Sequence, residues 1–368
     1  MNPQSLKFAT CTPVAFHAND NFFSRDTGLI CRELQKLGHQ CKVIMPFPSH
    51  EDDQPCADLL RTEKENLYSC AWWQQQELDA VILYSWGDPR YNGIARAIRA
   101  AGVKLCVHFD SSGELHEHLT RKGNRWLNRV KDFAVNLLRR QHLDYASFIT
   151  CSAPCIEAFR HDKRYGSSIA DKCVEFPTPV ESCFCYNGQL KQPRIICVGS
   201  WQLPVKRVEM LVHTLQQTLT HHPTAQADIC GKITPALQLW HDSLPLDIKS
   251  RTRLHGMCTH EQLSRLYNAA SISLCTSESE GSHGASAEAL CCGCSVVCPP
   301  RPLLSVVRWY TSRDSGTVST EDTPESLSAA LLYELGQWQQ GIRSASSIAA
   351  AWQPCFQVRR LLSYLSNC

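Results

Sequence analysis

Nowhere in its 368 residues does this chain approach the ~18 consecutive apolar residues that a membrane-spanning helix requires. Its polar start, MNPQSLKF, lacks the apolar stretch of a secretory leader. A cytoplasmic protein, or one held at the inner face of a membrane, is the expectation. Strong charge of either sign is missing too: 37 basic against 35 acidic residues leave a formal +2. No global attraction to nucleic acid follows from such a balance, and no nucleic-acid partner is expected. No Asp-x-Asp pair stands after a strand-like run to hold a divalent ion, and Asp52-Asp53 sits in a polar loop without a phosphate-binding motif nearby. Neither an obligatory metal nor a cofactor is expected. Fixed-period repeats and low-complexity tracts are also lacking.

Cysteine, by contrast, is abundant at 21 residues, which in a secreted chain would suggest a disulfide framework. Here Cys41, Cys106, Cys151, Cys197, Cys230 and Cys275 lie inside apolar strand-like runs, where cysteine acts as a small hydrophobe. Cys291-Cys292-Gly293-Cys294 has a C-x-x-C spacing but no second pair at zinc-site distance, so it reads as a helix end running into a buried strand.

The length fits two domains, and short β-rich runs alternate with segments of helical period, the pattern of α/β domains with parallel sheets. The first series of strands is Lys7 to Cys11, Cys41 to Met45, Ala80 to Tyr84, Lys104 to His108, Phe148 to Cys151 and Val174 to Phe176. The helix Asp26 to Leu37, stopped by Gly38, falls between the first two. A second series runs Arg194 to Val198, Ala227 to Ile229, Thr252 to Leu254, Ile272 to Cys275, Ser295 to Val297 and Thr317 to Ser319. Between them the polar stretch 187–193 ends in proline and reads as a linker. This predicts Rossmann-like domains over 1–189 and 190–352, with the amphipathic end of 353–368 crossing back to the first. Two such open sheets facing one another would bring the carboxyl ends of their strands to a shared crevice, where ligands bind.

Chemistry concentrates after two strands of the second series. Ser271 to Pro299 reads strand, loop, helix, strand, with Glu280 in the loop and Glu288 in a short helix beginning near Ala285. Gly281, Ser282, His283 and Gly284 form a small turn at the helix start, where unpaired N–H groups and the helix dipole favour phosphate. The other loop, Gly199-Ser200-Trp201-Gln202-Leu203-Pro204-Val205-Lys206-Arg207, again follows a strand and opens a helix, with Lys206 as a point cation for phosphate oxygens. Alone, a glutamate pair at this spacing is usually accidental and a first-turn lysine usually just solvated. Their joint placement is what argues for a site.

These residues, in this order, resemble the group 1 glycosyltransferases, family 4 of the sequence-based classification, which have the GT-B architecture. Val198-Gly199 with Lys206-Arg207 looks like the family's first phosphate loop, and Cys230-Gly231 like the glycine ending its next strand. His255-Gly256, Glu261-Gln262-Leu263 and Leu266 to Ala270 resemble the segment before its Glu-x7-Glu motif, carried here by Glu280 and Glu288. The likeness is strong over 194–335 and thinner before it. Ser200 departs from the arginine often found there, with Arg207 as the candidate substitute, and His283 replaces a common aromatic residue.

The resemblance implies a retaining transferase that moves a sugar from a nucleotide-diphosphate donor to a saccharide or lipid-linked acceptor. Glu288 would hold the ribose and Lys206 the diphosphate, while Glu280 and His108, at the end of the strand Lys104 to His108, would face the transferred sugar. The donor would also be bound by Gly199, Ser200, Arg207, Gly281, Ser282, His283, Gly284 and Ala285. A lone histidine at a strand end is otherwise a capping or packing residue. An epimerase or phosphorylase on the same architecture, and a non-catalytic sugar-binding protein, are the competing readings. Acceptor groups are expected in the loops His17 to Arg25 and Tyr84 to Arg90, with Asn21, Phe22, Trp86 and Asp88 as candidates. Finally, residues 121–140 combine Arg125, Arg129, Lys131 and Arg139 with an apolar face of Trp126, Val130, Phe133 and Leu137. Packing of that face on the sheet, with the basic side chains in water, is the simpler expectation. Peripheral contact with an anionic membrane is the other.

Overall fold

A computed structural model describes residues 5–53, 58–85 and 90–366. The chain's own contacts divide it into two units, Met1–Glu181 with Cys355–Cys368, and Ser182–Pro354. The change from one unit to the next thus falls upstream of residue 190, where composition alone places it. The reason lies in side chains that composition does not reveal. Asn268 accepts from the Asn187 amide at 3.0 Å and donates to the Cys185 carbonyl at 3.0 Å, and Ser264 donates to the Cys183 carbonyl at 2.8 Å. These bonds attach the polar stretch to a helix of the second unit.

The first unit is a seven-stranded parallel sheet built from β1 (Lys7–Cys11), β2 (Gln40–Pro46), β3 (Leu59–Thr62), β4 (Ala80–Ser85), β5 (Lys104–Phe109), β6 (Phe148–Cys151) and β7 (Cys173–Glu175). Their order in space is β3-β2-β1-β4-β5-β6-β7, so the direction of winding reverses between β1 and β4. The strands are nearly continuous apolar runs because helices cover both faces. Ala9, Val81, Leu83, Leu105 and Val107 face one way, against Trp73, Tyr91, Ile94 and Phe159. Phe8, Val43, Ile82 and Cys106 face the other, against Ile30 and Leu34 of the helix Asp26–Lys36. That second core is completed by Val358, Leu361 and Leu365 from the last helix, Val358–Ser366. The edge strand β3, absent from the sequence reading, is four residues long and only partly buried.

The second unit repeats the plan with β8 (Gln192–Val198), β9 (Gln226–Cys230), β10 (Thr252–Gly256), β11 (Ala270–Leu274), β12 (Ser295–Cys298) and β13 (Gly316–Val318), all parallel, in the order β10-β9-β8-β11-β12-β13. Ile195, Cys197, Ile229, Ile272 and Leu274 pack against Leu211, Leu215 and Leu219 of the helix Val208–His221, and against Leu327, Leu331 and Leu335 of the helix Pro324–Gln339. Here the winding reverses between β8 and β11, the place where open α/β sheets bind ligands. Cys291, Cys292 and Cys294 are free, buried thiols at the end of the helix Gly284–Cys291 and the entry to β12. Burial pushes the Cys292 and Cys294 thiols up, so they are inert rather than nucleophilic.

One helix departs from expectation. Arg125–Tyr145 buries Asp132, Asn136, Arg139, His142 and Leu143, while Trp126, Val130, Phe133 and Leu137 are exposed. The apolar face expected against the sheet is turned to solvent, because the opposite, polar face finds buried partners. Among the described residues, no helix is long and apolar enough to cross a membrane.

Candidate active site

The loops that follow β8 and β11 lie side by side because their strands are neighbours, and three bonds join them. The Thr276 hydroxyl donates to the Lys206 carbonyl at 2.8 Å, the Glu278 amide to the Val205 carbonyl at 2.8 Å, and Glu280 meets Lys206 through its side chain. Lys206 Nζ stands 2.5 Å from Glu280 Oε1, with the two side chains only 16% and 15% exposed. Burial tends to raise the Glu280 carboxyl, but His283, Lys206 and a hydrogen bond from Ser277 together hold it below the usual carboxylate range. The Glu280 carboxyl is therefore ionised at neutral pH, beside the Lys206 side chain at the topological switch point.

Next to them begins the helix Gly284–Cys291, with His283 as its N-cap in a left-handed conformation, φ 45°. The Ser286 and Ala287 amides return to the His283 carbonyl, which leaves those of Gly284 and Ala285 without an intrahelical partner and available to an anion. His283 shares a 2.7 Å hydrogen bond with Ser286 Oγ through Nδ1 and is neutral, its pKa pulled down to about 4 chiefly by burial. Ser282 is buried, and its carbonyl accepts from the Tyr310 hydroxyl at 2.6 Å. Glu288, half-buried in the helix, accepts from the Tyr267 hydroxyl at 3.3 Å.

The loop after β8 is shaped by close approach. Gly231 has φ +116°, and a Cβ there would lie 2.0 Å from the Gly199 carbonyl oxygen. A Cβ on Gly199 would press on the Trp201 ring at 3.2 Å, and Trp201 is fixed by donating from Nε1 to the Cys230 carbonyl at 2.8 Å. Ser200 is exposed at the tip. Arg207 turns away from this group: it pairs with Asp322 at 2.6 Å, and Asp322 is shared with Arg301. Lys206, Glu280, His283, Gly284 and Ala285 thus form one cluster, Glu288 lies on the same helix, and Arg207 belongs to an ion-pair chain along the loops. Among the described residues, no three metal-ligating side chains converge at this cluster.

His108, in the first unit, is buried at the end of β5 and shares a 2.8 Å hydrogen bond with Thr150 Oγ1 through Nδ1. Burial lowers its pKa to about 4, so the imidazole is neutral. Beside the switch point of that sheet lies a cavity of about 410 Å³ walled by Phe16, His17, Asn19, Phe22, Asp26 and Tyr84. It includes part of the loop expected to meet an acceptor; Trp86, Asp88 and the side chain of Asn21 lie outside the described residues. Asp26 opens its helix at φ 49°, and burial, with the neighbouring Asp110 charge, raises its carboxyl to about 6. Sequence reasoning missed Asp26, although an acid at the start of the helix Asp26–Lys36 was the available signal. It also missed Tyr267 and Tyr310, which act on Glu288 and Ser282 from a distance in sequence that no local pattern records.

Comparison with known proteins adds an independent line. Residues 192–336 match the family described as glycosyl transferases group 1. The sequence has no significant match among curated proteins. In fold, the chain is similar to HepE from Anabaena in complex with UDP, with a TM-score of 0.64 at 15% identity over 99% of this chain and 100% of that one. It is also similar to sucrose-phosphate synthase from Thermosynechococcus elongatus (TM-score 0.62, 14% identity, 98% of each chain). A third likeness is to WaaG, a glycosyltransferase involved in lipopolysaccharide biosynthesis (TM-score 0.62, 15% identity, 98% of this chain and 100% of that one). At such identities the likeness is one of fold. Two Rossmann-like units with this topology are the GT-B fold, and residues 192–336 are similar to the glycosyl transferases group 1 family.

Proposed function

We propose that this chain is a retaining glycosyltransferase that moves a sugar from a nucleotide diphosphate to a saccharide or lipid-linked acceptor, in glycan or cell-surface polysaccharide synthesis. The observation that carries the reading is the Lys206–Glu280 pair, 2.5 Å apart, beside the open amides of Gly284 and Ala285. Breaking a sugar–diphosphate bond builds positive charge at the sugar carbon and negative charge on the leaving group, so a carboxylate and a cation are both required. A donor diphosphate entering here would take Lys206 and the two amides, freeing Glu280 to face the sugar. Glu288, oriented by Tyr267, would bind the ribose. His108, neutral and held by Thr150, keeps the role toward the donor sugar that the family resemblance implies. Attack from the face the diphosphate leaves, with a departing phosphate oxygen taking the acceptor's proton, would retain configuration. With Lys206 and helix amides neutralising the phosphates, no metal is assigned a role.

HepE is described with UDP and with UDP-glucose, and starch synthase IV with ADP, so uridine and adenosine diphosphate sugars are the donors to try first. The test is a nucleotide-sugar panel scored by thermal stabilisation, which follows from linkage. NMR of the product formed from the preferred α-linked donor then reads the stereochemistry. A β-linked product would overturn retention, and a protein that neither binds nor transfers any sugar nucleotide would overturn the whole reading.

A further inference from the structure

Lys206 pairs with Glu280 across 2.5 Å, yet in the transfer proposed above it goes to the donor's diphosphate. A carboxylate that is 15% exposed would then lose its ion pair at the moment it has to face the sugar. Leaving a buried carboxylate without its cation favours protonation, and a protonated Glu280 cannot stabilise positive charge at the sugar carbon. Among the described residues, the other groups that act on this carboxylate are Ser277, which already donates a hydrogen bond, the Cys275 thiol and His283. Burial, with the Glu280 charge close by, pushes that thiol up to about 12, so it brings no charge of its own.

His283 remains. Its Nε2 stands 4.0 Å from Glu280 Oε1, the same oxygen that Lys206 holds. The imidazole is only 6% exposed, and its Nδ1 shares a 2.7 Å hydrogen bond with the hydroxyl of the fully buried Ser286. A carboxylate facing Nε2 favours the tautomer with the hydrogen on that nitrogen, which leaves Nδ1 to accept from Ser286. Ser286 thereby aims the ring. At 4.0 Å the pair is short of a hydrogen bond, and a shift of about 1 Å closes it. The backbone also carries a cost for placing this side chain. His283 sits at φ 45°, in the left-handed region that a glycine would occupy freely, and it makes no side-chain capping bond to the helix it opens. Such outliers persist only where the surroundings enforce them, and they cluster at functional sites. Here the Tyr310 hydroxyl, 2.6 Å from the Ser282 carbonyl, helps to hold the turn.

We infer that His283 is a positioning residue for Glu280: when the donor draws Lys206 away, the Nε2–H of His283, aimed by Ser286, takes over Oε1 and leaves the other carboxylate oxygen turned to the transferred sugar. This role rests on the proposed transfer, and it sets His283 against the carboxylate instead of the donor. The test is the pH profile of turnover at saturating donor for wild type, His283→Phe, His283→Gln and Ser286→Ala, beside donor affinity from calorimetry. Turnover at saturation reports groups in the donor complex, so its acid limb marks protonation of Glu280. Phenylalanine keeps a ring without the N–H. Turnover at neutral pH should fall on the order of tenfold, and the limb should move to higher pH by about one unit or more, since a carboxyl deprived of its donor titrates higher. Donor affinity should stay within about twofold, because the side chain does not touch the donor. Glutamine, whose amide nitrogen reaches the place of Nε2, should return the limb to within about half a unit of wild type. Ser286→Ala leaves the left-handed residue untouched and should move the limb in the same direction, which keeps the test decisive if His283→Phe does not fold. A limb unmoved by Ser286→Ala and by His283→Phe, or a glutamine variant shifted as far as phenylalanine, overturns the inference. So does a donor affinity that falls tenfold with the limb in place, which would put His283 on the donor. Wild type that transfers no sugar refutes the proposed reaction, and this role with it.

Discussion

Replacing Lys206 with methionine tests both the structural and the chemical side of the Lys206–Glu280 pair. The substitution keeps most of the apolar stem but leaves a carboxylate that is 15% exposed without its cation at 2.5 Å. Breaking a fully buried pair costs about 3–5 kcal/mol; the residual exposure and the Ser277 hydrogen bond reduce this to roughly 2 kcal/mol at neutral pH. The sign with pH follows from the direction of the shift. The Glu280 carboxyl is held below its usual value in the folded protein, so its contribution is complete above the ordinary carboxylate range and is lost as pH falls through the lowered value. The stability gap between wild type and Lys206→Met should therefore be largest at neutral pH and close as pH falls below the ordinary carboxylate range in urea titrations followed by tryptophan fluorescence. The double variant Lys206→Met/Glu280→Gln should regain most of the lost stability, since it removes both charges, yet its turnover should remain down on the order of a hundredfold or more, because the cation at the leaving group is still missing. Unfolding of Lys206→Met indistinguishable from wild type at pH 7 would refute the energetic argument. A folded single variant with turnover within a few-fold of wild type would refute the chemical one.

Glu288→Ala should weaken donor binding by about 1.5–3 kcal/mol in calorimetry while turnover at saturating donor survives in part, because a ribose contact is made equally before and during bond breaking. Gly231→Ala forces a Cβ to within 2.0 Å of the Gly199 carbonyl at φ +116°, so a loss of several kcal/mol, on the order of 3 or more, is expected in urea titrations. Acid should destabilise the fold through three buried neutral histidines: His108, His142 and His283 each have a pKa lowered to about 4. The unfolded chain takes up these protons first, so the stability they lend is intact above about pH 6.5 and falls on the way to pH 4, by on the order of 2–3 kcal/mol each. Melting temperature against pH checks this, and His142→Gln, which removes one such proton, should flatten the slope.

The strands were legible where the sheet buries both faces: Lys7–Cys11 and Phe148–Cys151 stand out as apolar runs and appear with those bounds. The strand Leu59–Thr62 did not, since it is a short edge piece whose Arg61 is held by Asp53 and by backbone carbonyls that a pattern of apolar residues cannot register. The two phosphate-type loops were visible as motifs after strands. That they meet was legible only through topology, as Lys206 and Glu280 are 74 residues apart and become neighbours because β8 pairs with β11. The turn of Arg207 toward Asp322 depends on a partner 115 residues away and carries no local signal. For the helix Arg125–Tyr145, periodicity reveals two faces but not which of them packs. That choice was made by Leu115, His118, Ser85 and Tyr165, groups scattered along the chain, which satisfy its polar side.

The helix Val358–Ser366 closes the core of a unit whose strands all precede position 182. On the ribosome, this gives the chain an unusual order of events. The unit made second, ending at Pro354, holds all of its strands before synthesis is over, while the unit made first has emerged long before the residues that seal it. Until Val358, Leu361 and Leu365 leave the exit tunnel, the apolar side of Asp26–Lys36 is without its cover, a state in which nascent chains depend on chaperones. Deleting Val358–Ser366 would for the same reason injure the amino-terminal half, on the far side of the chain from the cut.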